Sequence, residues 1–127
     1  MDQRLQDQLP DDENQETGPP IVSTLPLHIP EFAEIVRSFC QRIKEELEAM
    51  DVAFTNRDFE TLARLAHWLK GSGGTVGFNQ FTLPATHLET SAKQENTLEA
   101  ETALAQIREM AGRMQVPVLE SELVETN

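Results

Sequence analysis

The chain has one cysteine, Cys40, in 127 residues. It can form no internal disulfide, it cannot supply a cysteine-based zinc site, and it favours a reducing compartment. No stretch approaches the roughly 18 continuous apolar residues of a membrane span. The polar start MDQRLQDQ has none of the character of a signal peptide. A soluble, cytoplasmic domain without membrane contact is expected. Bases are also scarce, with 10 Lys and Arg against 22 Asp and Glu and a net charge of −12. No basic stripe exists to neutralise phosphates, which excludes nucleic acid as a partner. Strand-like alternation and internal repeats are absent. So are the G-x-x-x-x-G-K-[ST] loop of nucleotide-binding proteins and any metal-carboxylate constellation, which excludes an autonomous kinase or phosphatase.

The acidity is unevenly spread. Residues 1–28 hold six acids and one base, residues 29–116 thirteen and nine, and residues 117–127 three acids alone. Most of the surplus therefore sits in the tails, where it keeps a segment solvated and needs no partner. The chain divides accordingly. Residues 1–28 are expected to be a disordered or linker segment, 29–116 a single helical domain, and 117–127 an acidic tail. Within the first part, the more apolar IVSTLPLHIP, punctuated by Pro20, Pro26 and Pro30, is expected to pack on the core as an extended lead-in.

What is present is helical periodicity. Phe32, Ile35, Val36, Phe39, Ile43, Leu47, Met50 and Phe54 recur at spacings of three and four, starting behind Pro30, a residue suited to a first helical turn. The length of this run leaves open a division near Gln41 to Lys44. Asp58 is a candidate N-cap for a second stripe of Phe59, Leu62, Leu65, Ala66 and Leu69, extended by Gly73 and Val76 if the helix runs on to Gly77. A third helix starts at Asn79 or Thr82 and carries Leu83, Ala85, Leu88 and Ala92, with Pro84 in its first turn or marking a kink. Asn96 with Glu99 forms an N-cap pair opening a fourth helix through Ala100, Leu104, Ile107, Ala111 and Met114, which Pro117 stops. The fold class is all-α, an antiparallel up-down four-helix bundle.

One stretch carries chemistry. At about 100° per residue, with the apolar stripe of the second helix at zero, His67 points to about 140° and so faces solvent. Lys70 lies near about 80°, Gly74 near about 120° and Gly71 near about 180°. Three glycines in a helix cost about 3 kcal/mol relative to alanine, which asks for a reason. Bare backbone beside a histidine lets another protein approach the ring, and a lysine one turn away compensates charge on a phosphoryl group. Composition alone allows an equal alternative, in which the helix ends at Lys70 and Gly71-Ser72-Gly73-Gly74 is a flexible cap and loop. His28 and His87 lack partners at metal-ligand spacing and read as surface residues. Trp68, off the core stripe, is expected to be a partly covered packing residue, with a place on a docking surface as the alternative. Cys40 and Met50, Met110 and Met114 read as core.

The run His67-Trp68-Leu69-Lys70-Gly71-Ser72-Gly73-Gly74-Thr75-Val76-Gly77-Phe78, followed by Phe81, Ala85 and Leu88-Glu89, resembles the histidine-containing phosphotransfer (HPt) domain. That family's signature is H-x-L-K-G-S/G-small-x-x-apolar-G, then a helix ending in Leu-Glu or Leu-Gln. The resemblance covers roughly residues 29–115. Phe81 and Ala85 stand where Leu and a small residue such as Cys are frequent, and Pro84 interrupts the following helix. The resemblance implies that His67 takes a phosphoryl group from a receiver-domain aspartate and passes it to another. It implies that Lys70 stabilises the phosphoryl oxygens and that Glu89 orients the imidazole. Gly71, Ser72 and Gly74 would lie on the receiver docking surface. It further implies a carrier without its own ATP site or cofactor, any Mg2+ belonging to the partner receiver, and a monomer, either free-standing or cut from the end of a hybrid sensor kinase. The competing expectation is a helical interaction module in which His67 is only a surface residue; Lys70 and Glu89 around one exposed histidine argue against it.

Overall fold

The structure, a computed structural model, describes residues 18–118. The expectations for residues 1–17 and 119–127 lie outside the described residues. Within them the chain forms four α-helices and one short 3-10 turn: α1 (Pro30–Thr55), α2 (Phe59–Thr75), the turn Asn79–Phe81, α3 (Thr82–Lys93) and α4 (Thr97–Gly112). Each helix packs on the next, and α4 closes on α1. Among the described residues there is no β-strand.

The three connections between helices are built alike. Arg57, Gly77 and Glu95 each take a left-handed backbone, with φ of 57°, 89° and 55°. Around each, two backbone N–H groups fold back on the preceding helix: Arg57 to Phe54 and Asp58 to Ala53, Gly77 to Gly74 and Phe78 to Gly73, Glu95 to Ala92 and Asn96 to Ser91. This is the paired reverse bond that satisfies the last carbonyls of a helix. In two cases the residue just after is already the N-cap of the next helix. Asp58 accepts from the Thr61 N–H at 3.2 Å, and Asn96 from the Glu99 N–H at 3.1 Å. The Thr61 hydrogen bonds hold the Asp58 carboxyl below its ordinary range. Tight reversals of this kind leave the helices no choice but to pack side by side.

Gly77 is required twice over. Its φ is left-handed, and a Cβ there would come within 2.5 Å of Ser23 Oγ and 2.8 Å of the Thr24 nitrogen. The lead-in before α1 is the strand of chain pressed against it. Ser23, buried, donates to the Val76 carbonyl at 2.6 Å, and the Thr24 N–H donates to the Gly77 carbonyl at 3.0 Å. Ile21, only 4% exposed, pairs with the end of α4: its N–H donates to Arg113 and its carbonyl accepts from Gln115, both at 2.8 Å. Ile21 and Ser23 are thus buried against the bundle, as expected of the extended lead-in.

The core holds Val36, Phe39, Ile43, Met50, Leu62, Ala66, Leu69, Leu88 and Ile107, all from the expected stripes, together with Phe78 and Phe81 from the α2–α3 connection. Phe39 stacks on Phe78 and on Trp68, each at 5.7 Å between ring centres. Cys40 is buried, and that burial pushes its thiol up, away from reactivity. Two expectations need correcting, and one open alternative is settled. Ile35 is 48% exposed and Leu83 79% exposed, so neither belongs to a core face. In both cases an apolar neighbour, Val36 or Pro84, takes the inward position. Finally, α1 is one unbroken helix of 26 residues, since Cys40, Ile43 and Leu47 continue its buried stripe through the point of possible division.

Candidate functional site

Helix α2 does not end at Lys70. It continues through the glycines to Thr75, and Gly73 is buried, facing the core as the extended stripe requires. A Cβ at Gly73 would sit 3.4 Å from Phe81 Cβ and 3.5 Å from the Phe78 carbonyl oxygen. That glycine is there for packing of the connection against the helix. Gly71 is different, because a Cβ on it would meet nothing within 4 Å. It is open surface. Gly74 falls between the two, half-buried, with the Asn79 side chain at 3.7 Å from where its Cβ would be.

His67 stands on the outer face of α2 with 69% of its side chain exposed. Across from it, Glu89 leaves α3 next to the core residue Leu88 and is itself 7% exposed. Its Oε2 lies 3.0 Å from His67 Nδ1. Lys70, one turn along from His67, donates to the other oxygen, Oε1, at 2.9 Å. Lys93, one turn after Glu89 on α3, comes to Oε2 at 3.2 Å. One carboxylate therefore receives three donors. Lys70 first, then Lys93 and His67, hold the Glu89 carboxyl down to about 2, against its burial, which pushes the other way.

This arrangement decides the state of the ring. An ionised carboxylate only accepts hydrogen bonds, so the imidazole nitrogen facing it must be the one that carries hydrogen. In the neutral ring that leaves the lone pair on Nε2, the nitrogen turned away from Glu89. The site thus offers a nucleophilic nitrogen on an exposed side chain, with its tautomer fixed by a rigidly mounted anion and with two ammonium groups close by.

Two shallow depressions flank His67. One, about 620 Å³, runs between α2 and α3 and is lined by Phe59, Glu60, Ala63, Arg64, Glu89, Ala92, Lys93 and Glu95 as well as His67. The other, about 390 Å³, is bounded by Trp68, Gly71, Ser72, Thr75 and Val76. Trp68 is half-buried, as expected, and the Arg42 guanidinium lies 4.9 Å from its ring centre. Of the residues expected at a docking surface, Gly71 and Ser72 line this second depression and Gly74 does not. His87 is a surface residue, as expected, and its Nε2 pairs with Glu99 of α4 at 2.8 Å. Lys93 was not expected at the site, although its spacing of four from Glu89 on one helix is the signal that could have found it. Among the described residues, no group of three or more His, Cys, Asp and Glu could hold a metal ion, and no helix is long and apolar enough to cross a membrane.

A four-helix bundle with an exposed histidine, hydrogen-bonded through one nitrogen to a carboxylate on the neighbouring helix, is the build of a phosphohistidine carrier. Residues 34–116 match the family model of the Hpt domain, and the chain belongs to that family. Among curated proteins and among solved structures, none matches the chain. As an Hpt domain it is a histidine phosphotransfer intermediate of phosphorelay signalling. It carries the group without a kinase ATP-binding domain, its partners are receiver domains, and the family needs no cofactor of its own.

Proposed function

We propose that His67 is the phosphoacceptor and that its Nε2 is the attacking atom. The observation that carries this reading is the Nδ1···Glu89 Oε2 approach of 3.0 Å on a ring whose other nitrogen is turned away. Nε2 forms the bond to phosphorus as the bond from phosphorus to the partner's aspartate oxygen breaks, and the electron pair goes to that aspartate as carboxylate. The Nδ1 proton stays on the ring, where Glu89 stabilises the positive charge that develops as the P–N bond forms. Lys70, held 2.9 Å from Glu89 Oε1 and 33% exposed, can turn from the carboxylate toward the incoming phosphoryl oxygens and compensate their charge. Gly71 and Ser72, on the open depression beside the ring, let a receiver domain bring its aspartate into contact.

The proposal extends to setting. The domain acts as a cytoplasmic monomer, and the acidic stretch ahead of Ile21 serves as the linker that would tether it in a hybrid sensor kinase. The test is incubation with a phosphorylated receiver domain. Acid-labile, base-stable label on residue 67 is the expected result, and label elsewhere or none at all contradicts it.

A further inference from the structure

Lys93 is the feature of the site that the transfer chemistry has not used. Its ammonium lies 3.2 Å from Glu89 Oε2, the same oxygen that faces His67 Nδ1. Lys70 holds the other oxygen. With both oxygens tied, the carboxylate cannot rotate without breaking a bond at each end. Lys93 and His67 Nδ1 thus meet at one carboxylate oxygen, and Lys93 acts on the ring through Glu89.

Charge gives the second argument. Before transfer, a neutral His67 with Glu89, Lys70 and Lys93 has one net positive charge. A phosphoryl group brings about two negative charges, while the ring, keeping its Nδ1 proton, becomes cationic. The set of four then sums to zero. Without Lys93 it would be net negative. The other charged groups lining that side of the ring are Glu60 and Arg64 from α2 and Glu95 from the α3–α4 turn, two acids against one base.

We propose that Lys93 is a positioning residue of the phosphotransfer site, which fixes Glu89 on the His67 ring and supplies the cation that balances the phosphorylated state. The inference rests on His67 being the phosphoacceptor. Lys93 is 66% exposed, so its removal leaves the packing of the bundle untouched. Its effect is that of a solvent-screened cation, about threefold on the ionisation of the phosphoryl group.

The experiment uses phosphoramidate as donor: its P–N bond breaks as the P–N bond to His67 forms, and ammonia leaves. The second ionisation of the phosphohistidine is then followed by 31P NMR across pH in wild type, Lys93→Gln and Lys93→Arg, with far-UV circular dichroism as the control for folding. Lys93→Gln should raise the midpoint by about 0.5 pH units, the equivalent of that threefold effect, because the dianion has lost a neighbouring cation. Lys93→Arg should titrate as wild type. A phosphorylated wild type with an unshifted Lys93→Gln midpoint overturns this inference alone, as does an arginine variant that shifts as far as glutamine. A wild type that acquires no phosphate on His67 overturns the phosphoacceptor reading and this inference with it.

Discussion

The two sides of His67 are made of opposite materials. Toward α3 lie Glu89, Lys70 and Lys93, tied to one another by hydrogen bonds of 2.9 to 3.2 Å. Toward the end of α2 lie Gly71, Ser72 and Thr75, where the side chains are short and Gly71 has nothing in front of it. The first side fixes the ring's orientation and proton. The second leaves room. A phosphoryl carrier needs both, because the chemistry depends on an oriented nitrogen while the transfer depends on a partner's aspartate reaching it. The same helix supplies both because the periodicity of α2 puts His67, Lys70 and Gly71 outward while Ala66, Leu69 and Gly73 face the core.

That contrast can be broken most completely at the ring itself. His67→Gln should abolish phosphoryl acceptance while the melting free energy stays within about 1 kcal/mol of wild type, since Glu89 keeps both lysines. Label retained by the variant removes His67 from the chemistry. A collapse in the melting temperature would instead mean the side chain is part of the core.

The glycines should separate by face. Gly73→Val places branched carbon against Phe81 and the Phe78 carbonyl, which should destabilise the bundle by about 2–3 kcal/mol, read by urea denaturation. A neutral result there would mean that the α2–α3 connection yields easily. Gly71→Gln points into open space and should do the reverse. Stability should rise by about 0.5–1 kcal/mol from helix propensity, while phosphotransfer from a receiver falls at least about tenfold through steric obstruction at the docking surface. Transfer at the wild-type rate would show that a receiver approaches from another direction.

The charged side is sharpened by acid. Because the Glu89 carboxyl is held at about 2 rather than its ordinary 4.5, its ionised form is favoured by the fold. That stability is fully present above pH 4.5 and is lost as pH falls through the range toward 2. With His67 and Lys93 largely in water, the contribution is roughly 1–2 kcal/mol. Thermal melts of wild type and Glu89→Gln between pH 6 and 2 should therefore converge at the acid end. Parallel curves would remove Glu89 from the acid response.

Much of this was legible in the residues. The stripes of α1, α2 and α4 put Val36, Leu62, Leu69, Leu104 and Ile107 inside, because an amphipathic helix in water has one buried face and its spacing is written in the chain. Asp58 and Asn96 announced their helices through local capping chemistry. The pairing of His67 with Glu89 was expected from family resemblance and not from spacing, since twenty-two residues and a turn separate them. What was not legible depends on tertiary contact. Ile35 and Leu83 look apolar enough for a core, but the adjacent Val36 and Pro84 take the inward places. That the lead-in packs on the core was expected from its apolar character, but its seats were not legible: Ser23 fits against Gly77, and Ile21 pairs with the end of α4. The glycines in a row hid two different jobs, one facing Phe81 and one facing solvent.

The claim on which the rest depends is that Glu89 holds the Nδ1 proton and thereby directs chemistry to Nε2. Nitrogen-15 NMR of the ring after phosphorylation reads this directly, because the two phosphohistidine isomers differ in which nitrogen bears phosphorus. The account predicts phosphorus on Nε2 of His67, with a protonated Nδ1 still hydrogen-bonded to Glu89. Phosphorus on Nδ1 would contradict it.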